Sequence, residues 1–223
     1  MKATAVAEHA PLLSGLYAIA DRTLIPGAQL VERSKSALQG GAALLQYRAK
    51  RVGAAQREAE ARALLTLCCA YGVPLIVNDD VALAKTVGAH GVHLGAEDSV
   101  LSAARAALGP RAILGVSCYN SLTRALEAEK EGADYVAFGR FFPSRTKPDA
   151  VQADVELLRA ARKKLRLPIA AIGGITPQNG ALLVEAGADM LAVIHGVFGA
   201  HDIRAAMQSY TTLFRRKKND PVT

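Results

Sequence analysis

The sequence predicts one α/β domain, a (β/α)8 barrel of the TIM type with a parallel eight-stranded core. Three observations point there. Eight short apolar runs recur along the 223 residues, at 16–20, 43–46, 75–77, 91–94, 113–116, 135–138, 169–172 and 190–194. The runs are continuous rather than alternating, as expected of parallel strands buried on both faces. Most are followed by a polar, charged or glycine-containing stretch, and barrels of this kind carry their sites at the C-terminal ends of the strands.

The elements follow in order. The first run opens the barrel after an N-terminal extension, 1–14, and the second follows Gly40-Gly41-Ala42. A helix is expected over 53–70, where Ala61, Leu64, Leu65 and Cys68 share a face and Arg57, Glu58, Glu60 and Arg62 suit the wet one. Pro74 stops it before the third run, and 81–87 reads as the next helix. Gly88-Ala89-His90 leads into the fourth run, with a helix over 99–108 after it. Beyond the fifth run, 121–131 turns Leu122, Ala125 and Leu126 inward and Glu127, Glu129, Lys130 and Glu131 outward. Gly132-Ala133-Asp134 introduces the sixth run, and 141–153 is then the longest loop in the barrel. Ordered loops of such length tend to be functional. The helix over 154–165 has Val155, Leu158 and Ala161 inside and Arg162, Lys163 and Lys164 in its last turn, where cations favour the helix dipole. Pro168 precedes the seventh run, Thr176-Pro177 is expected to open a helix, and Gly187-Ala188-Asp189 precedes the eighth run. A glycine just past a helix can take the left-handed cap, so the recurring Gly-Ala unit marks repeated βα construction. The barrel is bounded at 15–214, with a basic tail, 215–223, expected to be disordered.

Composition narrows the class. Hydrophobic residues make up 51% and aromatics 5%, with no Trp, so the core is large and aliphatic. The net charge of +7 suits a phosphorylated substrate, although part of it sits in Arg215, Arg216, Lys217 and Lys218. No basic stripe with interleaved aromatics argues for nucleic acid. Cys68, Cys69 and Cys118 are odd in number and lack CxxC spacing, which argues against a disulfide framework or structural zinc. They read as buried thiols in a reducing cytoplasm. Glu8 and His9 interrupt any signal-peptide core, and no segment nears the roughly 20 apolar residues of a membrane span. A cytoplasmic enzyme of small molecules is expected, with no nucleic-acid or membrane partner; homo-oligomer formation is left open.

Several groups could do chemistry at the strand ends. Gln46, Arg48 and Lys50 alternate as the second strand leaves the barrel, so they point one way and fit a polyanion such as diphosphate. Asn78 and Asp79 end the third strand, and Asp98 lies beyond the fourth. Two such carboxylates would suit Mg²⁺, which prefers oxygen ligands and is often completed by substrate phosphates. Asp80 and Glu97 are rival ligands, and Asp79 or Asp98 could instead cap the helix that follows. His93, inside a strand, reads as a core or supporting residue. Ser144, Thr146 and Lys147 follow the sixth strand on a Pro-bounded loop and can donate to developing negative charge on a leaving group. Gly173 and Gly174 end the seventh strand, where barrels often bind phosphate, and His195-Gly196 completes that region.

Taken in order, LYAIAD (16–21), LQYRAK (45–50), LIVND (75–79), GVHLGAED (91–98), LGVS (114–117), GADYVAFG (132–139), PSRTK (143–147) and AIGGI (171–175) resemble the thiamine-phosphate synthases. The resemblance implies a β/α barrel that joins a hydroxymethylpyrimidine diphosphate to a thiazole phosphate, with Mg²⁺, releasing diphosphate in a dissociative substitution. It implies that Gln46, Tyr47, Arg48, Ala49, Lys50, Asn78, Ser117 and Lys147 hold the pyrimidine diphosphate. Asp79 and Asp98 would bind Mg²⁺. Ser144, Arg145, Thr146, Gly173, Gly174, Ile194 and His195 would line the thiazole phosphate site. Lys147, Arg48, Lys50 and Ser117 would carry catalysis. The chain departs from the family pattern at Ala49, where Glu is common, at His195, where Ser is common, and at Cys118-Tyr119, where many relatives have Thr-His. Two other readings compete. A thiazole tautomerase on the same barrel would rely on a His after strand five and dispense with the diphosphate clamp. A non-catalytic thiazole-phosphate-binding protein would be expected to lose Asp79, Asp98 or Lys147.

Overall fold

The computed structural model describes residues 13–95, 100–143 and 151–219. Among these, eight parallel strands close into a barrel in chain order, β1 pairing with both β2 and β8. They are β1 (Gly15–Asp21), β2 (Ala42–Arg48), β3 (Leu75–Asn78), β4 (Gly91–Leu94), β5 (Ile113–Tyr119), β6 (Tyr135–Phe138), β7 (Ile169–Ile172) and β8 (Met190–Val193). The helices are α1 (Leu30–Gln39), α2 (Ala54–Tyr71), α3 (Val81–Val87), α4 (Leu101–Leu108), α5 (Leu122–Lys130), α6 (Val155–Lys164), α7 (Gly180–Glu185), α8 (His195–Phe198) and α9 (Ile203–Asn219). None is long and apolar enough to cross a membrane.

Strand alternation sorts the core into two layers. On β1, Leu16, Ala18 and Ala20 meet the helices, while Tyr17 and Ile19 join the barrel interior with Leu44, Ile76, Ile113, Tyr135 and Met190. Both faces are apolar, which is why the runs are continuous in sequence. Gly115 is required inside: a Cβ there would lie 2.0 Å from Cζ of Tyr135, whose ring covers it.

The Gly-Ala units have a second function beyond ending helices. In each of three, the next residue ties its own strand to the start of the preceding one, by backbone and by side chain. His90 donates its N–H to Leu75 O at 3.0 Å, and its Nδ1 accepts from Leu75 N at 3.0 Å. Asp134 does the same with Leu114, its Oδ2 accepting at 2.8 Å, and Asp189 with Ile169 at 2.9 Å. Arg105 and Arg162 then reach the same carboxylates at 2.7 and 2.8 Å, binding α4 and α6 to the barrel floor. Gly88, Gly132 and Gly187 all take positive φ, as expected of the caps.

Several sequence expectations need correction. The cap of α3 is Asp80, which accepts from Leu83 N at 2.9 Å, and not Asp79. Asp79 has φ 64, which turns it out of the capping position. The helix expected at Thr176-Pro177 begins only at Gly180, because Thr176 and Asn179 close a turn first, with Thr176 N donating to Asn179 Oδ1 at 2.8 Å. Cys69 is exposed, since it follows the inward Cys68 on α2. The backbone stays helical through Asn219, beyond the expected start of the tail at 215, on a helix that buries Met207 and Tyr210.

Candidate active site

A cavity of about 390 Å³ opens at the C-terminal ends of the strands. Gln46, Arg48, Asn78, His93, Ser117 and Tyr119 form a polar wall from β2 to β5. Across from it, Gly173, Gly174, Ile194, His195 and Gly196 form a wall from the β7 and β8 ends, and the small Ala137 and Ala192 leave the centre open. The structure thus brings eight sequence-predicted site residues into one cavity: Gln46, Arg48, Asn78, Ser117, Gly173, Gly174, Ile194 and His195.

On the polar wall, Arg48 is the inward residue at the end of β2, level with Asp21 on β1. The Asp21 carboxylate is fully buried and accepts from the Arg48 guanidinium. Its other oxygen accepts from Thr23 N at 2.9 Å and Thr23 Oγ1 at 2.8 Å. Arg48 therefore enters the cavity with its position fixed from behind. Lys50 lies past the strand at the exposed rim, its Nζ 3.4 Å from Asp79 Oδ2. This pairs a cation and a carboxylate at the entrance rather than lining the cavity with both.

Tyr47 and Ala49 are not brought to the cavity. Tyr47 is an outward position of β2, since strand side chains alternate, and Ala49 lies just past the strand's end. The Tyr47 hydroxyl donates to Glu60 Oε2 on α2 at 2.6 Å, where Arg22 Nε also donates at 2.8 Å. Tyr47 is a scaffold residue, and Ala49 packs against the outer core. Asp80 is withdrawn as a rival metal ligand, because Oδ1 caps α3 and Oδ2 accepts from Arg57 at 3.0 Å. Among the described residues no cluster of three or more His, Cys, Asp or Glu could hold a metal ion. Asp79 is the described carboxylate nearest in sequence to the cavity residue Asn78, and Asp98 lies outside the described residues, as do Ser144, Arg145, Thr146 and Lys147.

Beneath the polar wall runs a chain of hydrogen bonds. Gln46 Nε2 donates to Tyr17 OH at 2.6 Å, and the Tyr17 and Tyr135 oxygens are 2.8 Å apart. Tyr135 OH lies 2.9 Å from His93 Nδ1, and His93 Nε2 lies 2.8 Å from Ser117 Oγ. The Tyr135 ring meets Tyr17 edge-on and stacks on His93. Burial pushes both tyrosines above the usual phenol range, so they stay neutral. Cys118, on the outer face, is pushed up to about 12 by burial and offers no thiolate.

The glycine wall is built by close approach. Gly174 has φ +64, and a Cβ there would lie 2.4 Å from Pro143 O, on the strand-six loop. Phe141 N and Phe142 N donate to Ile172 O and Gly173 O, laying that stem along β7. Arg140 exchanges backbone bonds with Val151 and Ala153, which closes the loop's two stems together. The described residues on either side of 144–150 are thus tied together beside the cavity. Asn179 Nδ2 donates to Gly174 O at 3.1 Å and Tyr210 OH to Ile175 O at 2.9 Å, holding the turn after β7. Short α8 begins at His195, and the first N–H groups of a helix lack partners within it.

Sequence reasoning missed Asp21, Tyr17 and Arg140 as site residues, named Thr176 only as a helix start and Tyr119 only as a departure from the family, and gave His93 only a supporting role. Inward alternation from Ile19 would have found Tyr17 and Asp21. No local signal marks Arg140 or Tyr119, whose place depends on the bulge in β5 at Ser117 and Tyr119.

The family model described as thiamine monophosphate synthase matches residues 16–197. A thiamine-phosphate synthase of Nitrosococcus oceani is 54% identical over 202 residues, covering 91% of this chain and 93% of that protein. One of Methylobacillus flagellatus is 53% identical over 205 residues, covering 92% and 97%. Among solved structures, thiamine phosphate pyrophosphorylase from Pyrococcus furiosus superposes with a TM-score of 0.85 at 36% identity, covering 93% of this chain and 98% of that one. KGPDC from Streptococcus mutans, with a TM-score of 0.70 at 14% identity, shares the fold alone.

Proposed function

The chain belongs to the thiamine monophosphate synthase family, transferases of thiamine biosynthesis, and from that premise we propose how its cavity does the work. It joins an amino-hydroxymethylpyrimidine diphosphate to a thiazole phosphate, or the carboxylated form of that thiazole, and releases diphosphate. The observation that carries this reading is the two-ended cavity, with a fixed guanidinium and amides on one wall and a glycine-built turn beside a helix start on the other.

Each wall has its task. Arg48, Asn78 and Ser117 hold the pyrimidine diphosphate, with Lys50 at the rim and Lys147 on the strand-six loop. Gly173, Gly174, Ile194 and His195 hold the thiazole phosphate, where backbone N–H groups can approach an anion closely. Ser144, Arg145 and Thr146 would supply further donors to that phosphate. The bond from the pyrimidine methylene carbon to the diphosphate oxygen breaks, and its electron pair leaves with diphosphate. The thiazole nitrogen lone pair then forms the new bond to that carbon. No protein nucleophile is needed; the residues neutralise the leaving group, align the nucleophile and exclude water.

Mg²⁺ fits the donors present. Asp79 is a half-exposed carboxylate at the entrance beside Asn78, and such an ion needs few protein carboxylates when substrate phosphates and water complete it. Asp79 and Asp98 would hold it, and it would add positive charge against the diphosphate oxygens.

A split in Michaelis constants tests the arrangement. Arg48→Ala is expected to raise KM for the pyrimidine diphosphate and leave that for the thiazole phosphate. His195→Ala, on the opposite wall, is expected to do the reverse. A variant that raises both equally, or the wrong one, contradicts the assignment of the walls.

A further inference from the structure

We infer that the buried chain Gln46–Tyr17–Tyr135–His93–Ser117 fixes the hydrogen-bond polarity of the polar wall, so that His93 and Tyr135 are positioning residues that select an aminopyrimidine over its oxo counterpart. This selection rests on the substrate reading above.

The polarity follows from proton counting. Gln46 Nε2 donates to Tyr17, so the single proton of that phenol goes onward to Tyr135, 2.8 Å away. Tyr135, fully buried and now an acceptor, has its own proton left for His93 Nδ1 at 2.9 Å. A neutral imidazole that accepts at Nδ1 carries its proton at Nε2. That proton is given to Ser117 Oγ at 2.8 Å, which leaves the serine O–H to donate into the cavity. At the other end Gln46 lines the cavity, one of its two amide N–H groups goes to Tyr17, and its carbonyl oxygen is the acceptor this polarity assigns to a ligand N–H. Five side chains from five strands therefore present one acceptor and one donor in a fixed sense.

That pair matches an aminopyrimidine, which offers an exocyclic N–H and a ring nitrogen lone pair. The oxo analogue offers a carbonyl and a ring N–H, the opposite pattern. Against this wall it sets carbonyl against carbonyl and N–H against O–H, and a site built on directed hydrogen bonds rejects such a mismatch strongly. The two tyrosines matter because neither can be rehydrated or reoriented inside the barrel. Reversing the wall requires all five groups to turn together.

Two measurements test this together. The ¹⁵N shifts of His93, assigned against His93→Gln, are expected to show a bare Nδ1 and a protonated Nε2. A proton on Nδ1 overturns the polarity. The ratio of kcat/KM for the amino and oxo pyrimidine diphosphates is then compared in the wild type and in Tyr135→Phe, which removes the donor to His93. The ratio is expected to fall by about tenfold or more, with KM for the thiazole phosphate unchanged. A slower enzyme with the ratio preserved would mean a merely structural chain and overturns the proposal. Tyr17→Phe breaks the chain one link earlier and serves if Tyr135→Phe fails to fold. A wild type that turns over neither pyrimidine removes the substrate reading itself and the selection with it, an outcome distinct from a preserved ratio.

Discussion

The guanidinium of Arg48 at the mouth of β2 is anchored by the fully buried carboxylate of Asp21, its neighbour in register on β1. Breaking a buried pair by removing one partner leaves an uncompensated charge, at about 3–5 kcal/mol. Asp21→Ala is expected to lose stability of that order in chemical denaturation. The double variant Asp21→Ala with Arg48→Ala should recover part of it. A loss for the pair equal to the sum of the two single losses would mean that they act independently.

Lys147 is expected to carry the leaving-group charge. Lys147→Ala should cost on the order of 10²–10³ in kcat, as does loss of one donor aimed at developing negative charge. Nearly full turnover would remove it from that role.

The floor ties give a prediction confined to stability. Asp189 accepts from Ile169 N and from Arg162 at the far end of the barrel from the cavity. Asp189→Ala leaves that buried N–H unsatisfied and should cost about 1–3 kcal/mol. The Michaelis constants of the folded variant should not move.

His90 makes the equivalent tie pH-dependent. The residue is exposed at its outer edge, but desolvation lowers its pKa below the ordinary 6.5, and its Nδ1 must stay unprotonated to accept from Leu75 N. Between the folded and unfolded values the unfolded chain binds the proton and the folded chain does not. Stability from this tie is therefore full above about 6.5 and falls as pH drops toward the folded value. The stability deficit of His90→Ala should shrink between pH 7.5 and pH 5.5; an equal deficit at both would refute the link.

The thiols differ sharply. Cys68 and Cys118 are buried and pushed up to about 12, whereas Cys69 is exposed. A disulfide reagent at neutral pH is expected to modify one thiol quickly, and all three only after unfolding.

What the sequence made legible follows from period and position. Continuous apolar runs located every strand, because parallel strands buried on both faces leave no polar alternation to misread. The same alternation on β2 set Gln46, Arg48 and Lys50 apart from Tyr47. A family motif read as one contiguous block nevertheless placed Tyr47 in the site with them. Asp79 and Asp80 show the limit of adjacency: one positive φ at Asp79 hands the cap to Asp80 and leaves its neighbour at the entrance. The hydrogen-bond chain was out of reach for a different reason. Its members come from β2, β1, β6, β4 and β5, and only barrel closure brings Tyr17 to Tyr135 across 118 positions of sequence.

The most direct test of the whole account is product formation. The purified protein is mixed with the pyrimidine diphosphate, the thiazole phosphate and Mg²⁺, and thiamine phosphate is followed by fluorescence after oxidation, with a chelated control. Product that requires both substrates and disappears on chelation is the expected result. Folded protein that binds the thiazole phosphate yet forms no thiamine phosphate would contradict the account and point to a tautomerase or a binding protein on the same barrel.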